Sequence, residues 1–274
     1  MILNYRRPRV MGILNATDDS FFAASRALSA DLVRARVSAM LAAGVDIVDV
    51  GGESTRPGSS YIDAATERDR VVPVVRLIRE LDANIAISID TRKADVAAAA
   101  LDAGATMVND VSALRDDPAM ARLVAERRVP VCLMHMRGTP RDMQRDPHYD
   151  DVVAEVRAEL AGFKDAALAA GIPEEQIVLD PGIGFGKRFA DNWTLLANLD
   201  AFAALGSPLL VGLSRKSFLG ALTGADRNAP EQRLIATIAA QLWCTLGGVE
   251  IIRVHDVAEF AEALAAFDAI AAQS

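Results

Sequence analysis

The chain has 274 residues, 51% of them hydrophobic, which is enough to bury a large core, and barrels of roughly 250 residues often form one domain. Its net charge of −8 argues against a nucleic-acid or anionic-membrane surface, because phosphate backbones select clustered cations. Cys132 and Cys244 each sit in an apolar run and read as buried free thiols of a reducing compartment; with no apolar leader and no uncharged run near the ~18 residues of a membrane span, the expected location is the cytoplasm.

In chain order, short β-branched or apolar runs alternate with longer Ala/Leu-rich segments that carry charges at helical spacing. A strand is expected at 9–15 and a helix at 30–43, then strand 46–51 and helix 64–81, strand 85–91 and helix 94–103, strand 106–111 and helix 118–127. The second half repeats the pattern: strand 130–136 and helix 149–170, strand 176–181 and helix 192–204, strand 208–215 and helix 230–246, strand 250–254 and helix 257–271. Pro118 and Pro230 suit first-turn positions, and Gly44, Gly104, Gly171 and Gly247 stand where helices end. Eight βα units with apolar strands predict a single (β/α)8 TIM barrel, residues 1–274 forming one domain.

In such a barrel the functional face is the rim at the C-terminal ends of the strands. There the sequence places Asn15, Asp49 with Glu53, Asp90, Asn109 with Asp110, His135, Asp180, Ser214-Arg215-Lys216, and Arg253 with His255 and Asp256. Asp90, Asn109, Asp180 and Lys216 suit a flat heterocycle with adjacent N–H donors and a carbonyl, since carboxylates accept, amides do both and ammonium donates. Arg56, Lys216, Arg253 and His255 form a cationic group suited to an anion; the plainer reading is ion pairing with rim carboxylates. The glycines of GGESTRPG and DPGIGFGK let backbone pass close to a ligand. His135 reads equally as pocket floor or as a bonded structural histidine, and Trp243 as core or subunit interface.

Taken together, MGILNATDDSF, DIVDVGGESTRPG, LMHMRGTPRDMQ, LDPGIGFGK, LLVGLSRKSFLG and IIRVHDV resemble the dihydropteroate synthases over nearly the whole chain. The resemblance implies condensation of a dihydropterin methyl diphosphate with 4-aminobenzoate and release of pyrophosphate. It implies that Asp90, Asn109, Asp180 and Lys216 hold the pterin, and that Thr55, Arg56, Arg253 and His255 hold the diphosphate. Phe21, Thr55, Pro57, Phe185 and Ser217 would meet 4-aminobenzoate, and Asn15 would hold Mg²⁺. Asp90, Lys216, Arg253 and His255 would carry the catalysis, in a homodimer built on helices near the C-terminal end. Truncating Lys216 or Arg253 is expected to lower turnover by orders of magnitude and leave the barrel folded.

Two segments depart from the family's pattern. In the first loop Asp18 replaces a proline and Ala23 stands near the place of a second aspartate, which bears on closure over 4-aminobenzoate. After the third strand Arg92 and Ala94 replace serine and proline, changes that read as neutral and superficial. A non-catalytic pterin-binding paralogue and the methyltetrahydrofolate domain of corrinoid methyltransferases are the competing readings; the latter has no use for a diphosphate site.

Overall fold

The computed structural model describes residues 5–16, 26–56, 58–223 and 229–273. Its strands are β1 (Arg9–Asn15), β2 (Ile47–Gly51), β3 (Ala86–Asp90), β4 (Met107–Asp110), β5 (Val131–Met134), β6 (Ile177–Asp180), β7 (Leu210–Gly212) and β8 (Ile251–Val254). The helices between and after them are α1 (Arg26–Ala42), α2 (Ala64–Leu81), α3 (Ala94–Asp102), α4 (Met120–Arg127), α5 (Val152–Ala169), α6 (Phe189–Ala197), α7 (Leu199–Ala203), α8 (Ser217–Thr223), α9 (Leu234–Leu246) and α10 (Val257–Ala271). The strands form one parallel sheet in the order β6-β5-β4-β3-β2-β1-β8-β7. A parallel bridge between Leu179 and Leu209, with Leu179 N–H on Pro208 O at 2.9 Å, brings the two end strands together and closes the barrel.

Alternation along each strand sorts the side chains into two sets. Val10, Leu14, Val48, Val50, Ile87, Ile89, Val108, Leu133, Leu179, Val211 and Ile252 join the larger cluster, packed beneath the helices. Met11, Ile47, Ala86, Met107, Cys132, Val178, Leu210 and Ile251, one from every strand, form a separate cluster that fills the barrel floor. Each fully buried aliphatic side chain contributes about 1.5–3 kcal/mol, so both sets drive closure.

The elements depart from expectation at helix ends. α4 starts at Met120, with Ala119 at its N-cap, and Pro118 lies in the preceding turn rather than in the first helical turn. The helix expected at 192–204 begins earlier, at Phe189, because the Asp191 carboxylate accepts the Arg188 N–H at 2.8 Å and caps it. It then breaks at Asn198, whose backbone leaves the helical region and whose amide donates to Thr194 O at 2.8 Å, giving α6 and α7. Pro230 opens a 3-10 turn, Pro230–Arg233, ahead of α9.

Candidate active site at the barrel mouth

The same period of two that fills the floor builds the mouth. Two residues beyond the floor layer the inward positions are Asp49, Ser88, Asn109, Asp180 and Arg253, and two further on stand Asn15 and Asp90. Arg253 lies between two carboxylates: Nε donates to Asp49 Oδ2 at 2.6 Å and Nη2 to Asp90 Oδ2 at 2.8 Å. Asn109, the register partner of Asp90, donates its amide to the same Asp49 oxygen at 3.3 Å. Asp49 is fully buried and its Oδ1 has no hydrogen-bond partner, so this carboxylate is held by Arg253 and Asn109 alone among the described residues.

The other half of the mouth comes from the turn after β6. Gly182, Gly184 and Gly186 have φ of 65°, 82° and 61°, and a Cβ at Gly182 would overlap the His135 carbonyl oxygen. Asp180 Oδ1 accepts the Gly182 N–H at 2.7 Å. Lys216, carried in after β7, donates to Ile183 O, and its Nζ lies 4.7 Å from the centre of the Phe185 ring. Asp180 feels the charges of both Lys216 and Arg253, so the two halves share one electrostatic environment.

Burial sets the protonation of these groups. It raises the Asp90 carboxyl to about 7, with Arg253 opposing and Asp49 adding to the shift. Burial likewise raises Asp180, with Lys216 opposing, and lowers Lys216 to about 8 against the pull of Asp180. For Arg253 burial works against the cation, but Asp49 and Asp90 overcome it and hold the guanidinium above its ordinary value. Asp49, Asp90 and Asp180 thus face Lys216 and Arg253 across the mouth, with Lys187 adding its charge beneath Asp180.

His255 sits beside this cluster. Its backbone N–H donates to Ser214 Oγ at 3.1 Å and its Nδ1 lies 2.9 Å from the same oxygen. Burial, then Arg253 and Arg215, push its pKa down to about 3. Ser214 Oγ accepts the backbone N–H and can give its own proton to Nδ1; in that tautomer the ring proton of His255 stands on Nε2. Thr55 and Arg56 lie on the connection after β2, Thr55 half-buried and Arg56 exposed; Ser217 is exposed and opens α8. Asn15 ends β1, half-buried, and its side chain has no hydrogen bond among the described residues. Phe21, Pro57, Asp18, Asp19 and Ala23 lie outside the described residues.

Two side chains that support the mouth, Lys187 and Asn192, escaped the reading of the sequence, and two that it named, His135 and Asp49, take supporting places. Lys187 is buried beneath the glycine turn, where its ammonium meets His135 Nδ1 at 3.0 Å, Gly182 O at 2.9 Å and Phe185 O at 3.1 Å. His135 Nε2 faces Glu159 at 3.1 Å, so the histidine is a structural link and not pocket floor. Asn192 Oδ1 accepts the Gly184 N–H at 2.6 Å, and Asp49 anchors Arg253 as described. Asp49 was visible as a charge in an otherwise apolar strand; Lys187 and Asn192 carried no local signal.

Arg92 and Ala94 require a correction, since they are 7% and 5% exposed and therefore not superficial. Arg92 bridges Glu53 and Asp116, both at 2.6 Å. Trp243 is not core: it is 55% exposed, with its indole N–H on Leu196 O at 2.9 Å. Cys132 and Cys244 are buried free thiols, and burial raises both pKa values.

A model of the pterin binding enzymes matches residues 11–255. The dihydropteroate synthase of Mycobacterium leprae is 49% identical over 93% of this chain and 91% of its own. A "probable bifunctional folylpolyglutamate synthase/dihydropteroate synthase" of Haloferax volcanii is 48% identical over 91% of this chain, which spans 29% of that longer protein. Among solved structures, Xanthomonas albilineans dihydropteroate synthase with 4-aminobenzoic acid superposes with a TM-score of 0.90 at 45% identity, covering 97% of this chain and 94% of that one. The same enzyme in complex with 7,8-dihydropteroate gives a TM-score of 0.87 at 42% identity, covering 98% and 96%. The chain belongs to the pterin-binding enzymes. Within them it falls among the dihydropteroate synthases, transferases that form dihydropteroate.

Proposed function

We propose that the barrel mouth joins a (7,8-dihydropterin-6-yl)methyl diphosphate to 4-aminobenzoate, giving 7,8-dihydropteroate and pyrophosphate. The observation that carries this reading is the gathering of Asp90, Asn109, Asp180, Lys216 and Arg253 at one mouth of a family barrel. Asp90, Asn109 and Asp180 receive the pterin N–H groups and Lys216 donates to its carbonyl. Thr55, Arg56, Arg253 and His255 hold the diphosphate: Arg253 uses Nε and Nη2 on its carboxylates and keeps Nη1 for an oxygen, while neutral His255 offers Nε2–H. Phe185, Thr55 and Ser217, with Phe21 and Pro57, meet 4-aminobenzoate.

The bond between the pterin methylene and the diphosphate oxygen breaks first, its electron pair leaving with pyrophosphate. Asp90 and the neighbouring carboxylates favour the cationic methylene. The aniline nitrogen then attacks that carbon and loses a proton, and no protein nucleophile takes part. Asn15 fits a Mg²⁺ ion through its side-chain oxygen, which has no hydrogen bond among the described residues, and among these no trio of His, Cys, Asp or Glu could form a dedicated metal cage. Such an ion would draw its other ligands from diphosphate and water, and when bound it supplies charge neutralisation to the leaving group.

The protein acts as a homodimer in the cytoplasm, with no nucleic-acid or membrane partner. The dimer rests on an exposed apolar stripe on α9, and the compartment on two reduced, buried thiols. No helix among the described residues is long and apolar enough to cross a membrane.

The test is pyrophosphate release from the dihydropterin diphosphate, with and without 4-aminobenzoate, in wild type and Lys216→Met. Stoichiometric dihydropteroate formation by wild type, reduced by about 100-fold or more in the variant, is expected. Pterin binding without coupling, or methyl transfer to a corrinoid, would overturn the reading.

A further inference from the structure

We propose that Arg92, together with Tyr61, is a positioning residue that fastens both ends of the connection carrying Thr55 and Arg56 to the barrel rim. The proposal rests on the reading of that connection as the diphosphate and 4-aminobenzoate contact. Arg92 follows β3 by two residues. Its Nη2 meets Glu53 Oε1 and its Nη1 meets Asp116 Oδ2, each at 2.6 Å, so one guanidinium ties together the connections after β2, β3 and β4. Glu53 is shared: its Oε2 accepts from Lys93, whose ammonium also reaches Glu67.

Tyr61 closes the other end. It is 65% exposed, yet its ring lies 5.3 Å from the Arg92 guanidinium carbon and 4.1 Å from Lys93 Nζ. Stacking on two cations gives this exposed aromatic ring a fixed place. Glu53 stands two residues before Thr55 and Tyr61 five after Arg56, so the segment between them is pinned at both ends to the same pair of cations. Lys93 divides its single charge between Glu53 and Glu67, so Arg92 also supplies charge that Glu53 needs. What Arg92 adds beyond charge is planar geometry, two carboxylates held at once with a face left for the ring, which a serine or a lysine cannot reproduce. A connection fixed before substrate arrives loses less freedom on binding and presents its groups in register with the pterin.

The experiment compares wild type with Arg92→Ser, Arg92→Lys and Tyr61→Leu. Steady-state constants for both substrates are read beside equilibrium binding of a pterin that lacks the diphosphate, whose expected contacts leave the connection out, and beside thermal melting. Arg92→Ser is expected to lower kcat/KM for 4-aminobenzoate by about 10- to 100-fold, with pterin affinity within about twofold of wild type. Tyr61→Leu, at an exposed site that folding tolerates, should fall in the same direction by less, and Arg92→Lys should recover part of the loss. Wild-type constants in Tyr61→Leu and Arg92→Ser, or a loss that follows pterin affinity or the folded fraction instead, would overturn the proposal. Wild-type protein that neither binds pterin nor releases pyrophosphate removes the underlying reading, and this proposal with it.

Discussion

Arg253 shows how one side chain can serve fold and chemistry together. From the sequence it reads as part of an anion site or as a partner of rim carboxylates, with truncation leaving the barrel folded; which carboxylates it meets across the barrel interior leaves no trace in local spacing. In the structure it separates Asp49, whose side chain is 0% exposed, from Asp90 at 9%. Removing the cation leaves two buried carboxylates facing each other, a change that costs about 3–5 kcal/mol. Arg253→Met is therefore expected to lose both turnover and stability in urea denaturation, and adding Asp49→Asn should restore part of the stability but none of the turnover. A stability loss below about 1 kcal/mol would mean that the pair is solvated and worth no more than a surface bridge.

At the level of elements, strands were more legible than helix ends. The expected strand at 9–15 coincides with β1, and the others differ by a few terminal residues, since alternation and apolar content are properties of the strand itself. Helix ends depend on particular side-chain bonds: Asp191 starts α6 early and Asn198 divides the segment. Arg92 was misjudged for a related reason, its partners being brought in from two other connections. α9 leaves Ile235, Ala239, Trp243 and Leu246 exposed at i, i+4, i+8 and i+11, a single stripe with Ile235 at 85% exposure. Ile235→Asp should convert a dimer to monomer in analytical ultracentrifugation without lowering the melting temperature of the barrel. Identical sedimentation of the variant and a dimeric wild type would place the interface elsewhere.

For the molecule as a whole, two buried histidines tie stability to acidity. Burial, with Lys187 adding, lowers His135 to about 4, and burial, with Arg253 adding, lowers His255 to about 3. An unfolded histidine titrates near 6.5, so below that pH the unfolded chain binds protons that the native state refuses. The stabilisation is complete above about 6.5 and is lost as pH falls toward 4 and then 3. Asp90, raised to about 7, acts with the opposite sign between roughly 4 and 7, which makes a difference measurement necessary. Wild type minus His135→Gln, a variant able to keep both neighbouring bonds, should decline with a slope of at most about 1.4 kcal/mol per pH unit between pH 6.5 and 4. A flat difference would show that His135 takes up its proton while folded.

The sheet itself has an unequal circumference. Seven neighbouring strand pairs are laced by ladders, whereas β6 and β7 meet through the single Leu179–Leu209 bridge, between the strand ending in Asp180 and the strand leading to Lys216. A pterin gripped by those two residues would lie across that gap as a rivet lies across a seam. Occupancy of the mouth would then be written into the wall of the barrel, with amide exchange at Leu179 slowing as the ring settles above it.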